Sequence, residues 1–457
     1  MRSVGRPIGS VAAVLLIIAG GGRLNAAPSS DPERDETIAE PIDLPTVLRL
    51  AGARSLDIQI ARQRVEEAHA RHRGAVQEFF PWLSPGFTYR RHAGLIQGTD
   101  GDIIDVRRYS DSPAAALAVQ ADVGAALFRS RETSKLAAAE EGGLEARRAE
   151  TLLGAVEGYL ELARAQASAR VAEEALHLSR EYEQQIQRAV EVGLALKGDA
   201  LRLRTQSQRA DLALRQAIVS QRLAAARLAE TLHLDPNVAL AVRDAELSPL
   251  SIVDAGSSAE PLVQKALAGR PEVSAAQVRI GAARDATDAV TIGPLIPSVG
   301  AAALVGALGG GKVDGPRRFG GSRDYVVTVG WRLGPGGLLD AARIQGSRAR
   351  FEAARLEAEK VRQRVAREVV EAWNRVRSLG DQMASAKEGL AAASEALRLS
   401  QQRAEFGIAA VLERILAEQD LTRARNDYVT VVAEYDKAQY ELLRAIGGIT
   451  VDSAPLP

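Results

Sequence analysis

Two histidines and one glycine-rich segment are the parts of this sequence whose residue types and spacing could do chemistry. His69 and His72 lie three positions apart, so on a helix both would face one side and could hold a metal ion. No acidic or histidine partner accompanies them at a matching spacing, and His92, His177 and His233 are scattered along the chain. We therefore interpret the pair as part of a solvated helix face and predict no metal site.

The glycine-rich segment covers residues 306–313, GALGGGKV, and imitates a phosphate-binding loop. Such a loop places Ser or Thr after its lysine to hold magnesium, but here Val313 follows Lys312. No helical pattern opens at this point either. A flexible loop between two strands is therefore favoured over a nucleotide site.

The remaining polar residues form no catalytic pattern. The chain has no cysteine, which excludes disulfides, thiolate metal sites and cysteine nucleophiles. Acidic pairs such as Glu140 and Glu141 are typical of solvated helix charge. The 58 basic and 58 acidic residues cancel, whereas a protein that binds nucleic acid needs a basic surface. We expect no enzyme, no cofactor and no nucleic-acid partner.

The N-terminus has the pattern of a secretory signal peptide. Arg2 and Arg6 precede an apolar run at residues 11–19, VAAVLLIIA, and small residues follow it. We predict a signal peptide at 1–27, cleaved near Ala26 or Ala27. An uncleaved anchor is the alternative, although the run is shorter than the roughly 20 residues of a membrane span.

The elements that must position the rest are long helices. Only 4% of the residues are aromatic, and alanine, leucine, glutamate, arginine and glutamine dominate, as in coiled coils. Between Leu160 and Tyr182, apolar residues recur in six steps over 22 positions, or about 3.67 residues per step. That period predicts nearly straight packing. We predict helices at 46–78 (with Thr46 as its N-cap), 129–192, 199–234, 261–292, 338–406 and from there to about 446.

The chain is a tandem duplication. From about Val156 to Leu234 the first half aligns without gaps with the second at an offset of 214, so that Gly193 corresponds to Gly407 and Leu228 to Leu442. A period this long indicates duplication of a whole unit and not a solenoid. We predict a first repeat at 46–248, with strands at 83–95 and 115–127, and a second repeat at 261–448, with strands at 298–308 and 324–334. An N-terminal lead at 28–45 precedes the first repeat, a linker at 249–260 joins the repeats, and a tail at 449–457 follows.

Residues 289–311 form an uncharged segment that is long enough for a transmembrane helix. Pro294, Pro297 and the glycines argue against a helix and favour a tilted membrane strand, with a buried soluble strand as a further alternative. Aromatic residues gather around the predicted strands, which suits either a membrane-interface belt or ordinary packing.

Two glycines interrupt the helical pattern in the segment 192–201, VGLALKGDAL. A glycine inside a helix costs roughly 0.5–1 kcal/mol relative to alanine. We interpret the segment as a turn between two antiparallel helices, with Gly193 ending the first helix and Asp199 capping the second.

A pattern that follows this turn occurs twice and resembles the TolC-like family of outer-membrane efflux proteins. It consists of a glycine, an acid, two aliphatic or small residues and an alanine, at Gly193, Asp199, Leu201, Leu203 and Ala210 and again at Gly407, Glu413, Ile415, Ala417 and Ala424. The segment 269–273, GRPEV, is similar to the start of the family's second repeat.

The resemblance implies a mainly α fold with a membrane β-barrel portion, built from the duplicated unit of helix, two strands, long helix and helix. It implies a homotrimer in which each chain gives four strands to a barrel of twelve, above a long periplasmic α-helical barrel. It places the protein in the outer membrane of a Gram-negative-type bacterium, in contact with outer-membrane lipid.

The resemblance also assigns roles to the two turns. The helix tips that contact a periplasmic adaptor protein in the family match Val192, Gly193, Leu194 and Ala195, and Phe406, Gly407, Ile408 and Ala409. Alanine stands at both positions where relatives carry a hydroxyl, Ala195 and Ala409. The acidic aperture matches Glu413 and, by the repeat, Asp199.

The expected function is a passive exit duct for efflux or type I secretion, opened by the adaptor and energised by an inner-membrane pump of the proton-driven or ATP-driven class. The alternative from the residues alone is a soluble periplasmic coiled-coil scaffold or adaptor.

Overall fold

The computed structural model describes residues 40–243, 247–254, 256, 258–405 and 411–453. The predicted signal peptide and most of the predicted lead lie outside the described residues, as do the last four residues of the predicted tail. The description below concerns the unit Ala39–Pro457.

A short pair of strands that the sequence did not predict joins the lead to the end of the first repeat. β1 (Glu40–Ile42) pairs in parallel with β4 (Leu240–Val242). The side chain of Gln166 supports β4, because its oxygen accepts a hydrogen bond of 2.9 Å from the backbone N–H of Val242. Strands of three residues are too short to leave a periodic signal in the sequence.

The single helix predicted at 46–78 is two helices, α1 (Leu44–Arg54) and α2 (Leu56–Gln77). The predicted cap, Thr46, is wrong: Asp43 caps α1 by accepting a hydrogen bond of 2.9 Å from the backbone N–H of Thr46. The helix is interrupted at Ser55, where ψ is 125° and the hydroxyl accepts a hydrogen bond from the backbone N–H of Ile58. A serine cap inside an apolar pattern can start a new helix without interrupting the pattern.

The corresponding helix of the second repeat, predicted at 261–292, is also divided, into α5 (Glu260–Gly269) and α6 (Pro271–Thr291). Pro271 takes the first position of α6, where its missing N–H costs nothing. Arg270, between the helices, is 3% exposed and forms ion pairs with Glu272 at 2.7 Å and Glu368 at 2.6 Å. Arg270 is therefore a buried, charge-paired residue at the junction between the two helices.

Four long strands form one antiparallel sheet in the order β2 (Trp82–Gln97), β3 (Ile103–Ala121), β5 (Ser298–Lys312) and β6 (Arg318–Gly330). The strand predicted at 115–127 has the wrong bounds. It begins at Ile103, inside the polar segment that was expected to be a loop, and it ends at Ala121. It ends there because Asp122 caps the next helix by accepting a 3.2 Å bond from the backbone N–H of Ala125.

The strand predicted at 324–334 likewise lies earlier, at 318–330, and the glycine-rich segment is not a loop. Residues up to Lys312 belong to β5, so the segment 306–313, which imitates a phosphate-binding loop in sequence, forms no such loop and is not followed by a helix. Gly309 is required by packing, since a Cβ there would lie 2.6 Å from the ring of Phe319 and 2.8 Å from the carboxylate of Asp111. The uncharged segment 289–311 ends α6, passes a 3₁₀ turn and continues as β5. The preference for a strand over a transmembrane helix is confirmed for residues 298–311.

Side chains alternate between two unlike faces of this sheet. The exposed large side chains of the apolar face are Leu83, Phe87, Tyr89, Leu117, Val305, Phe319, Tyr325, Val327 and Val329. The apolar face also carries charged residues, among them Arg91, Arg107, Asp111 and Arg323. The polar face carries mostly small side chains around a cavity of about 360 Å³: Ser84, Gly86, Thr88, Ser112, Ala114, Ala116, Leu304, Gly306, Leu308, Ser322 and Asp324. One face therefore suits lipid and the other suits water.

The four longest helices form two antiparallel hairpins, α3 (Val123–Glu191) with α4 (Lys197–Thr231) and α7 (Ala341–Glu405) with α8 (Val411–Ala445). The 69 residues of α3 make a helix about 100 Å long. Its interior contacts are largely alanines, such as Ala137, Ala139, Ala155 and Ala165. Within the described residues, no helix combines the length and the apolar character that a membrane crossing requires.

The segment between the repeats is fastened to α8. The carboxylate of Asp436 accepts a bond of 2.7 Å from the backbone N–H of Leu250. The side-chain oxygen of Gln439 accepts bonds from the backbone N–H groups of Ile252 and Val253 at 3.2 and 2.9 Å. Burial raises the pKa of Asp436 to about 7, although the bond from Leu250 opposes that rise.

Candidate functional site

The first helix tip is a glycine-capped turn. α3 ends at Glu191, and Gly193 has a φ of 78°, which favours glycine. The backbone N–H of Gly193 donates to the carbonyl of Val190 at 3.1 Å, and that of Leu194 donates to the carbonyl of Ala189 at 2.7 Å. These two bonds define a Schellman motif, the usual glycine-based end of a helix. The interpretation of Gly193 as the residue that ends the helix is confirmed.

The first tip exposes aliphatic side chains at positions where a solvent-exposed turn ordinarily carries polar ones. Val192 is 69% exposed, Leu194 83% and Leu196 74%, while Ala195 is half-buried. The four predicted contact residues of the first tip therefore lie together on one turn. They form a small apolar surface at the end of the helical hairpin.

The prediction that Asp199 caps the return helix is wrong. α4 begins at Lys197 with Leu196 at the cap position, and no side chain caps it. Asp199 lies in the first helical turn, where a carboxylate is favoured by the helix dipole, and it pairs with Arg202 at 3.4 Å. The chain enters the helix earlier than expected because Leu196 supplies the extended backbone with which the helix begins.

The predicted residues of the second tip, Phe406, Gly407, Ile408 and Ala409, lie outside the described residues. The helices on either side are described, and α8 has Glu413 in its first turn. The guanidinium of Arg403 donates a bond of 2.9 Å to the carboxylate of Glu413. This ion pair links the last turn of α7 to the first turn of α8.

A small core lies behind the tips and holds all four long helices together. Tyr182, Leu203 and Ile415 form a buried cluster from α3, α4 and α8. The side-chain amide of Gln401 on α7 donates to the hydroxyl of Tyr182 at 2.8 Å, and Arg414 stacks 3.7 Å from the centre of the tyrosine ring. Leu203 and Ile415 both belong to the repeated pattern but occupy different positions in it, and Leu201, which corresponds to Ile415, is 63% exposed. The two repeats therefore use different positions of the pattern for this packing contact.

Sequence reasoning missed the buried carboxyl of Glu418, which is 2% exposed. The hydroxyl of Ser179 on α3 donates to one oxygen of this carboxyl, and burial raises its pKa. Glu418 lies three residues before Leu421, which is also buried. That spacing on the apolar side of α8 was the available signal, but glutamates in a helix this charged are typical of solvated positions.

We expected His69 and His72 on a solvated helix face, but the structure places them elsewhere. Both are half-buried where α2 meets α3: His69 lies 3.0 Å from the carboxylate of Glu141, and His72 lies 3.2 Å from the hydroxyl of Thr133. The acidic partner was missed because it lies 72 positions away on another helix. Among the described residues, no group of three or more His, Cys, Asp or Glu side chains is placed to hold a metal ion.

Residues 262–448 match the family described as outer membrane efflux protein. No curated protein matches the chain by sequence.

Solved structures match nearly the whole chain. The outer membrane protein VceC from Vibrio cholerae is 18% identical, with a TM-score of 0.73 over 89% of this chain and 96% of that chain. The CmeC outer membrane channel of Campylobacter jejuni is 15% identical, with a TM-score of 0.72 over 94% of each chain. The open state of the MtrE outer membrane channel of Neisseria gonorrhoeae is 16% identical, with a TM-score of 0.70 over 90% of this chain and 91% of that chain.

At these identities the structures establish the fold. The family match covers the second repeat, and the fold match extends the same architecture over both repeats. The resemblance drawn from the sequence is therefore confirmed: the second repeat matches the outer membrane efflux protein family, and the described chain has the fold of the TolC-like outer-membrane efflux channels.

Proposed function

We propose that the protein is a passive outer-membrane exit channel of a tripartite efflux or type I secretion system. The observation that carries this proposal is the fold agreement with outer-membrane channels over 89–94% of the chain. The two unlike faces of the sheet support it, because a membrane barrel needs an apolar outside and a polar inside. A soluble periplasmic scaffold, the alternative, would leave the exposed apolar face without an explanation.

The channel is a homotrimer in this proposal. The four-stranded sheet ends in two edge strands, β2 and β6. Unpaired strand edges are not tolerated in lipid, and four strands cannot close on themselves. Three chains joined edge to edge give a closed barrel of twelve strands, whose apolar face contacts outer-membrane lipid. The long helices then extend into the periplasm.

The helix tips dock a periplasmic adaptor, which connects the channel to an inner-membrane pump of the proton-driven or ATP-driven class. Val192, Leu194 and Leu196 offer the adaptor an apolar contact at the first tip, with no hydroxyl at Ala195. Phe406, Gly407, Ile408 and Ala409 are the proposed contact of the second tip.

The gate lies beside the second tip. Glu413, with Asp199 as a weaker contributor, forms the charged constriction in this proposal. The pair between Arg403 and Glu413 ties α7 to α8 across the turn, so it favours the closed arrangement. Both partners are more than a third exposed, so the contribution of one pair is small and the threefold repetition in the trimer matters.

The test is conductance of the purified trimer in planar lipid bilayers. We expect discrete channels, and we expect Glu413→Gln to raise the mean closed-state conductance and lower cation preference. Glu395→Gln is the matched control, because Glu395 is an exposed glutamate of α7 in a similar pair with Arg398. A trimer that inserts without conducting refutes the channel. Channels that Glu413→Gln and Glu395→Gln leave equally unchanged refute the gate alone.

A further inference from the structure

The polar face of the sheet carries a concentration of positive charge near the hairpin turns, which the proposed function does not use. We call Arg90, Arg108, Lys312 and Arg318 the basic band. Each of the four strands contributes one of these residues. They lie beyond the polar cavity described above, toward the turns at 98–102 and 313–317, at the end of the sheet away from the helices.

Strand register places the basic band in two adjacent rows. In the first row, Arg90 is opposite Ser110, Ser110 is opposite Gly310, and Gly310 is opposite Arg318. In the second row, His92 is opposite Arg108, and Arg108 is opposite Lys312. All members of a row point to the same face, because cross-strand partners share a face.

The fold does not neutralise this charge. All four side chains of the basic band are exposed, and none forms an ion pair or hydrogen bond with another described residue. On the opposite face, Arg317 is paired with Asp111 at 2.6 Å. Asp324 shares the polar face with the basic band, but its row lies six residues further along the strands, or about 20 Å away. Asp100, Asp102 and Asp314 lie in the turns and not on this face.

Like charges directly opposite each other destabilise a sheet, so the arrangement of Arg108 and Lys312 costs stability. Two further features leave room and donors for a ligand. Ser110 and Gly310 keep the space between Arg90 and Arg318 open. His92, in the second row, has a buried Nε2 atom without a hydrogen-bond partner among the described residues.

We propose that the basic band is a binding site for small polyvalent anions, such as phosphorylated or multiply carboxylated solutes, at the outer mouth of the channel. Guanidinium groups fit phosphate and carboxylate oxygens in a bidentate manner, and lysine adds a point charge. This inference rests on the proposed function, since the polar face lines the lumen only in the closed trimer. There the basic band repeats three times around one mouth and attracts anions that leave the duct.

Inorganic pyrophosphate is the probe, and block of the conductance in planar bilayers is the measurement. We expect pyrophosphate to reduce the current at lower concentration from the side of the hairpin turns than from the side of the helices. In Arg90→Gln/Arg108→Gln the half-blocking concentration rises about 25-fold, because the variant removes two charges and each close charge pair in water is worth about a factor of five. The chloride-to-potassium permeability ratio falls in the same variant.

The sequence provides a closely matched control. Arg91 and Arg107 are the chain neighbours of Arg90 and Arg108, they are also exposed, and they lie on the other face of the same two strands. Arg91→Gln/Arg107→Gln therefore removes equal charge from equal heights and should leave the block within about twofold of the unmodified protein.

The outcomes separate this inference from the proposed function. Channels that conduct but are blocked equally in both double variants, or are not blocked by pyrophosphate at all, overturn the anion site and leave the channel standing. Trimers that insert without conducting overturn both.

Discussion

Asp436 is a single carboxyl group that fastens the segment between the repeats to the last helix. It is 1% exposed, and its pKa is raised to about 7 from an ordinary value of 3.8 because burial disfavours the charged form. The folded protein therefore keeps a proton on this group at pH values where the unfolded chain has released it. Stability linked to this group falls as the pH rises from about 4 to about 7 and is then constant.

We expect Asp436→Asn to remove this dependence. The amide keeps an oxygen that accepts the bond from Leu250 but has no charge to bury. The variant should have the same free energy of unfolding as the wild type near pH 4 and a higher one above pH 7. The difference grows by at most about 1.4 kcal/mol for each pH unit between pH 4 and pH 7. Guanidinium unfolding of the detergent-solubilised protein, followed by circular dichroism across this range, measures the difference.

Asp381→Asn is the control, since Asp381 is an exposed aspartate of the helix α7 and its loss should leave the pH dependence unchanged. If Asp436→Asn and the wild type lose stability in parallel between pH 4 and 7, the assignment of this titration to Asp436 is wrong.

At the scale of elements, the helix tip at 192–196 is the surface that we propose for docking of the adaptor. The Schellman motif orders the turn through backbone hydrogen bonds. The side chains of Val192, Leu194 and Leu196 are therefore not needed to form the turn and are exposed. An ordered apolar surface of this kind needs little rearrangement on binding, which lowers the cost of docking.

We expect a photo-crosslinking amino acid at Leu194 to capture the adaptor in cells that express the whole system. The same amino acid at Leu356 should capture little, because that leucine is 71% exposed but lies near the start of α7, toward the sheet. Mass spectrometry of the crosslinked bands identifies the partner. Equal capture of the adaptor at both positions, or capture at Leu356 alone, would argue against docking at the tip.

Sequence alone predicted the duplicated order of elements, since a proline-free helical run of about 60 residues and a repeat at an offset of 214 are strong signals. It also predicted the turn at Gly193, because a positive φ leaves few alternatives to glycine. It misplaced what depends on single side chains: the caps at Asp43 and Asp122, and the break at Ser55. These residues decide where an element begins without altering its hydrophobic pattern.

The candidate site was predicted in part. The turn at Gly193 followed from the glycines, whereas the contact role of the tip residues came from the family resemblance and stays a prediction. The contacts behind the tip were not predicted. Tyr182, Arg414 and Gln401 come from three helices, and their sequence separations exceed 200 residues between α3 and the second repeat. Such contacts depend on how two hairpins pack, which a single sequence without homologues does not specify.

At the scale of the whole molecule, we propose that the free edges of the sheet, β2 and β6, join neighbouring chains. We expect cysteines on the two edge strands to join neighbouring chains, and the natural chain offers a clean background because it has no cysteine. Thr88→Cys on β2 is combined in turn with Gly320→Cys, Ser322→Cys or Asp324→Cys on β6. After oxidation, one combination at least should give a covalent trimer on a denaturing gel.

Thr88→Cys alone is the control, because one cysteine per chain can link at most two chains. If all three double variants stay monomeric while the protein still runs as a trimer under native conditions, the contact between β2 and β6 is wrong and another surface joins the chains.

The open edges also have a genetic consequence. Each chain in a ring of three closes two seams, one with each neighbour, so a chain with a defective β6 spoils any trimer that it enters. When such an allele is expressed at the same level as the normal one and chains mix at random, only about one trimer in eight is free of it. Mutations in the edge strands should therefore behave as dominant, whereas a mutation that prevents a chain from entering the trimer should be recessive.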